Sequence, residues 1–124
     1  MSKILWKPQS VKSTNMYQFI DYVNKSNKTN FVSYDELYTW SINNASDFWS
    51  AMWSFSDLIY SKNYLEVVDD INKMPGAKWF SGSRLNFSEN LLRYKDDKIA
   101  IQFKGEDISV RTLTYKELYQ EVEI

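Results

Sequence analysis

Residues 74–92, MPGAKWFSGSRLNFSENLL, constrain the fold of this chain more than any other stretch. Met74-Pro75-Gly76 is a turn signal, because proline fixes φ and glycine tolerates the positive φ of a type II turn. Ala77-Lys78-Trp79-Phe80 then puts two large aromatics into an extended run, which Gly82 breaks before Arg84-Leu85. Asn86 reads as a helix N-cap, with Glu89 at the third helical position reaching back in a capping-box-like pair. Phe87, Leu91 and Leu92 supply the apolar side of that helix. The segment therefore reads as turn, buried aromatic strand, break and helix, with Trp79 and Phe80 expected beneath the helix.

The chain ahead of this stretch has a helical pattern. Residues 1–12 read as an extended arm: Pro8 opposes helix, and Trp6 is expected to anchor it, since terminal segments stay ordered only when tied down. Met16, Phe19, Ile20 and Val23 fall at i, i+3, i+4 and i+7, the stripe of a first helix starting near Thr14 or Asn15. Gln18 is placed to close an Asn15 cap. The polar run Ser26-Asn27-Lys28-Thr29-Asn30 ends the helix and is the best boundary candidate in the sequence. Ser33-Tyr34-Asp35-Glu36 is a capping box that opens a second helix carrying Leu37, Tyr38 and Trp40. Asn43-Asn44 interrupts it. Asn44 or Ser46 then caps a third helix, whose stripe is Phe48, Trp49, Met52 and Trp53, continued by Phe55. At least two of Trp40, Trp49 and Trp53 should share one cluster. Helical spacing favours packing over an aromatic cage for a cation.

Leu65-Glu66-Val67-Val68 is β-prone. Asp69-Asp70 reads as a solvated pair before the turn, since no histidine or further converging acid would make it a metal or acid–base site. Beyond the 85–93 helix, KIAIQF at 98–103 and ISVRTL at 108–113 flank Lys104-Gly105-Glu106-Asp107 as a hairpin. Thr114-Tyr115-Lys116-Glu117 is a further capping box. Leu118, Tyr119 and Val122 begin an amphipathic helix without a stop signal, so the expectation is a chain cut within a longer protein.

Composition enters as a filter on chemistry. With 16 acidic and 15 basic residues the formal charge is −1, which argues against a nucleic-acid or anionic-membrane binder. The sequence has neither cysteine nor histidine, so disulfides, thiolate chemistry and the commonest general base are all excluded. Five Trp, nine Tyr and seven Phe are read as core and interface rather than as a base-stacking platform, which would need interleaved arginine and lysine. No window reaches the ~20 apolar residues of a membrane span, and residues 1–8 lack the apolar core of a signal peptide. A cytoplasmic protein is the expectation. The three glycines, Gly76, Gly82 and Gly105, are too far apart to form a phosphate loop. Ser81-Gly82-Ser83-Arg84 comes nearest to an anion-binding loop and reads instead as a turn before a capped helix.

Lys78-Trp79-Phe80 followed by Leu85-Asn86-Phe87-Ser88-Glu89-Asn90-Leu91-Leu92 resembles the N-terminal region of acyl-CoA synthetases of the adenylate-forming superfamily. Acetyl- and propionyl-CoA synthetases share the tryptophan-then-Leu-Asn skeleton. The longer form with Glu89-Asn90-Leu91-Leu92 is closer to the acetoacetyl-CoA synthetase (acetoacetate–CoA ligase) branch. Leu5-Trp6-Lys7-Pro8, Tyr38-Thr39-Trp40-Ser41, Phe48-Trp49 and Leu113-Thr114-Tyr115-Lys116-Glu117-Leu118 extend the likeness, and their joint order is its specific part. The resemblance implies a parent that uses ATP, Mg²⁺ and CoA, with every catalytic, cofactor-binding and metal site after Ile124. No site residue and no bound cofactor is therefore assigned to this chain. Trp6, Trp40, Phe48-Trp49, Trp79 and Leu85-Asn86 are read as structural. The expected fold is α+β: about three helices, a short helix, a β-hairpin and the start of another helix. Residues 1–124 are read as an acetyl-CoA synthetase-type N-terminal domain, with 1–30 as arm and first helix, 31–97 as helical and aromatic core, and 98–124 as hairpin and first helix of the large domain. The implied partner is the rest of the ligase, with self-association of the fragment as a further expectation, and neither nucleic acid nor membrane. The alternatives are an acetate- or propionate-type enzyme and a stand-alone protein-interaction module.

Overall fold

A computed structural model describes residues 6–106 and 109–122. After a 3₁₀ turn at Val11–Ser13 come three helices: α1 (Asn15–Asn27), α2 (Tyr34–Asn43) and α3 (Ala45–Phe55). β1 (Glu66–Val68) and β2 (Trp79–Ser81) follow, then α4 (Phe87–Leu91), β3 (Ile99–Phe103), β4 (Arg111–Thr114) and α5 (Tyr115–Val122). β1 pairs antiparallel with β2, and β3 with β4. The α+β expectation therefore holds, with two small hairpins where the sequence pattern announced one.

The chain falls into two compact units, the first up to Leu58 plus Asn63–Ser83, the second Ile59–Lys62 plus Arg84 onward. These do not follow the divisions 1–30, 31–97 and 98–124. The 26–30 loop lies inside the first unit, because Asn24 holds it. The Asn24 amide donates to the Phe31 carbonyl at 2.9 Å and accepts from the Phe31 N–H at 2.8 Å, and its oxygen also takes the Thr29 hydroxyl at 2.9 Å. One side chain thus stands in for a strand partner.

The first unit is built on α1–α3. Thr14 caps α1 by accepting from the Tyr17 N–H, so the cap is one residue ahead of the Asn15 expected. Phe19, Ile20 and Val23 of α1 close on Leu37 of α2 and Ala51 of α3, with Tyr22, Phe31, Trp40, Phe48, Met52 and Phe55 packed around them. Phe19 meets Phe48 edge-on at 5.8 Å and Phe55 at 5.0 Å. Trp40 and Trp49 both touch Phe48, at 6.4 and 5.3 Å, so two of the three tryptophans do share a cluster. Trp53, buried, points the other way, onto Phe80 at 4.8 Å and Tyr64 at 5.3 Å.

That second cluster corrects the expectation for Trp79 and Phe80. Phe80 packs on α3 through Trp53. Trp79 is 41% exposed and only edges Trp49 at 5.9 Å. Both rings meet α3, Trp79 through the half-exposed Trp49 and Phe80 through the buried Trp53, so they differ in exposure rather than in the helix they face. Phe80 also sits at φ +50, a left-handed conformation disfavoured for a residue with Cβ. Gly82 takes φ +84, and a Cβ there would approach Leu65 Cγ at 2.9 Å. The Met74–Pro75 peptide is cis, and Gly76 takes φ +111.

In the second unit, Asn86 caps α4 by accepting from the Glu89 N–H at 3.2 Å. Asn90 repeats the Asn24 arrangement across a longer loop: its amide exchanges two 2.8 Å bonds with the Ile59 main chain. β3 and β4 pair in the register Ile101↔Leu113 and Phe103↔Arg111, with an irregularity between Ile99 and Ile101 that the sequence pattern did not announce. The expected strand start at Ile108 lies outside the described residues. Trp6 is 76% exposed, so it does not anchor the arm. An indole left that open to water gains little from burial.

Candidate functional site

The carboxylates whose titration is displaced all owe it to local structure. Asp69 is drawn down to about 2, first by the Lys73 ammonium and then by the Lys78 N–H. Its oxygens take Lys73 Nζ at 2.7 Å, the Lys78 N–H at 2.9 Å and the Asp70 N–H at 2.8 Å, so it ties together both ends of the 69–78 loop. The Asp69-Asp70 pair is thus a loop clasp rather than merely solvated acids. Asp96 is lowered by its bond from Lys98. Glu117 is lowered by the Thr114 N–H and then the Thr114 hydroxyl, each at 2.8 Å.

Helix N-termini are ready-made anion sites only while their N–H groups are free. In α5 they are taken: Tyr115 N–H donates to the Lys98 carbonyl at 3.0 Å, Lys116 N–H to Asp96 at 3.1 Å and Glu117 N–H to Thr114 Oγ1 at 3.2 Å. Thr114 is at once the last residue of β4 and, through its hydroxyl oxygen, the cap of α5. Ser33 caps α2 with its capping box complete. In Ser81-Gly82-Ser83-Arg84 both the N–H and the hydroxyl of Ser83 turn onto the Phe80 carbonyl, at 3.1 and 2.7 Å. Those donors are spent inside the turn, and this stretch does not fit a nucleotide phosphate. Among the described residues no group of three acidic, histidine or cysteine side chains is placed to hold a metal ion.

What the units present instead is apolar surface. In the first, Trp49 and Trp79 lie edge to face, each 41% exposed. In the second, Ile99, Ile101, Phe103 and Val110 are all exposed. Register puts Ile101 beside Leu113 and Phe103 beside Arg111 on one face of the β3–β4 hairpin. A two-stranded hairpin with such a face is marginal by itself. On α5, Val122 is exposed, whereas the Tyr119 ring is covered by the Lys95 ammonium, 3.4 Å from its centroid. Of the tryptophan and Leu-Asn positions, Trp40 and Phe48 pack on the first unit's core and Asn86 caps α4, whereas Trp6, Trp79 and Leu85 are exposed. Asn24 and Asn90 were missed, because a polar side chain bonding seven or thirty-one residues away leaves no local spacing to read.

Comparison with known proteins agrees with this picture. The family described as acetyl-coenzyme A synthetase N-terminus matches residues 34–91. Acetoacetyl-CoA synthetase of Xenopus tropicalis is 41% identical over 98% of this chain, which spans 18% of that protein. A malonamoyl-CoA synthetase of Penicillium aethiopicum is 36% identical over 97% of the chain and 18% of its own length. The solved acetoacetyl-CoA synthetase from Streptomyces lividans superposes with a TM-score of 0.80 at 27% identity, over 98% of this chain and 20% of that one. The chain therefore spans about a fifth of the proteins it matches.

Proposed function

We propose that this chain, whose sequence and fold are those of an acetoacetyl-CoA synthetase N-terminal region, is the packing portion of an ATP-dependent acid–thiol ligase. The parent reaction converts acetoacetate, ATP and CoA into acetoacetyl-CoA, AMP and pyrophosphate. ATP supplies the leaving group that activates the carboxylate, and the CoA thiol then takes the acyl group. Residues 1–124 supply none of that chemistry. They fold the region that the rest of the ligase packs against, in the cytoplasm and in lipid metabolism.

The observation that carries this reading is the agreement of sequence and fold along almost the whole chain with one kind of ligase. The exposed faces are consistent with it: the hairpin residues Ile101 and Phe103 have the composition of a surface that something else covers. The same surface favours self-association of the isolated chain. The acyl group is a separate matter. Relatives named for malonamoyl-CoA and a family named for acetyl-CoA share this stretch, so it discriminates poorly among acyl substrates.

Two assays test the reading. The purified 124-residue chain should release no acetoacetate-dependent pyrophosphate. A parent ligase lacking this stretch should lose activity and regain it when the chain is co-expressed. Pyrophosphate release by the chain alone, or full activity of the shortened parent, would refute the proposal. Sedimentation at several concentrations tests self-association, with a clean monomer throughout as the outcome against it.

A further inference from the structure

One side of α2 carries residues of the core and of the cap together with an exposed carboxylate that neither uses. Phe31, Asp35, Glu36, Thr39, Trp40 and Asn43 line an open dish of about 420 Å³. Its floor is aromatic: the Phe31 and Trp40 rings are 5.7 Å apart, inclined at 46°, and both half-buried. Phe31 is held there by the two bonds its main chain makes to Asn24. Glu36, Trp40 and Asn43 recur at i, i+4 and i+7, and Asp35 and Thr39 at i and i+4, so these side chains share one side of the helix.

The two carboxylates are not equivalent. One oxygen of Glu36 is committed to the cap, accepting from Val32 N–H at 2.7 Å and Ser33 N–H at 3.3 Å. Among the described residues, nothing donates a hydrogen bond to the Asp35 carboxylate or forms an ion pair with it. No basic side chain lines the dish. Aromatic faces attract a cation through their quadrupole, and an unpaired carboxylate lining the same dish attracts that cation by charge.

We propose that this dish is a docking site for the guanidinium of an arginine presented by a partner protein surface. A guanidinium suits it better than an ammonium, because a planar cation can lie on the rings while its fork donates two N–H groups to the Asp35 carboxylate. The dish is shallow and open, which suits a side chain arriving on another surface rather than a small molecule that must be enclosed. The proposal goes beyond the ligase reading and does not depend on it.

The test is titration of the ¹⁵N-labelled 124-residue chain with N-acetyl-arginine amide, read from the Phe31 and Thr39 amides and the Trp40 indole N–H. Blocked citrulline, the neutral isostere, and blocked lysine serve as comparisons. Saturable shifts at those three groups are expected with arginine, with binding about fivefold weaker for Asp35→Asn, the size of one exposed charge pair. Asp35→Asn leaves the Ser33–Glu36 capping box intact, and Thr39→Lys, which sets a competing ammonium one turn from Asp35, should weaken binding similarly. Equal shifts with citrulline would mean an apolar occupant and overturn the proposal. So would equal binding by Asp35→Asn, or the absence of saturable shifts at the three groups.

Discussion

The two compact units are held by different means. Every buried apolar side chain among the described residues, apart from Leu92, lies in the first unit. The second is held by main-chain pairing, the Asn90 clasp and the capping box of α5, and leaves Ile99, Ile101 and Phe103 in water. Burial is the larger source of stability, because about 25 cal/mol per Å² accumulates over many rings, whereas an intramolecular hydrogen bond nets only about 1 kcal/mol after its exchange with water. The difference shows that similar secondary structure in one chain can be held chiefly by burial in one place and by hydrogen bonds in another.

The largest effect that would break this comparison is a core truncation. Trp53→Ala should cost about 3–5 kcal/mol, and Phe19→Ala a similar amount, in denaturant melts followed by first-unit NMR signals. Phe103→Ala should cost less than about 0.5 kcal/mol, because its side chain is already exposed. Equal costs would abolish the distinction. Trp79→Ala should fall between, about 1 kcal/mol, since that ring is only partly buried. Asn24→Ala and Asn90→Ala should each cost about 1–3 kcal/mol, read as faster amide exchange at Phe31 and Ile59 respectively. An Asn90 effect spreading into α1–α3 would show that the units are not separable. Ser33→Ala and Thr114→Ala should each cost about 1 kcal/mol, visible as fraying of the first turns of α2 and α5. The smallest effect is acidic. Asp69 has its folded pKa lowered from 3.8 to about 2, so its contribution is whole above pH 3.8 and is lost as pH falls toward 2. Asp69→Asn should remove that slope, and a carboxyl resonance of Asp69 titrating at its ordinary value would contradict the clasp.

What the sequence made legible was local. The caps at Ser33, Asn86 and Thr114 rest on groups three residues apart, and they are where the spacing put them. The α1 stripe of Phe19, Ile20 and Val23 was equally readable, because helical periodicity alone decides which side is apolar. Long-range choices were not readable. Nothing near Trp79-Phe80 says which ring meets the buried Trp53, since that depends on Trp53 and Tyr64 reaching Phe80 across the fold. Trp6 looked like an anchor by size alone, and size does not supply a surface to pack on. For the site, the lack of cysteine and histidine could be read from residue types. The α2 dish could not, because Phe31 joins Trp40 only through the Asn24 clasp.

The fusion of strand end and helix cap in Thr114 has a mechanical consequence. With no residue between β4 and α5, the hairpin and the helix share one phase. A single inserted residue at that junction would rotate the helix by about 100° and advance it by about 1.5 Å. It would uncouple Tyr115 and Lys116 from the carbonyls of Lys98 and Asp96 and carry Tyr119 away from Lys95. A slip of one position in the hairpin register would do the same from the other side. The junction therefore behaves as a gear rather than a hinge: an insertion at Thr114 would be transmitted in full to α5.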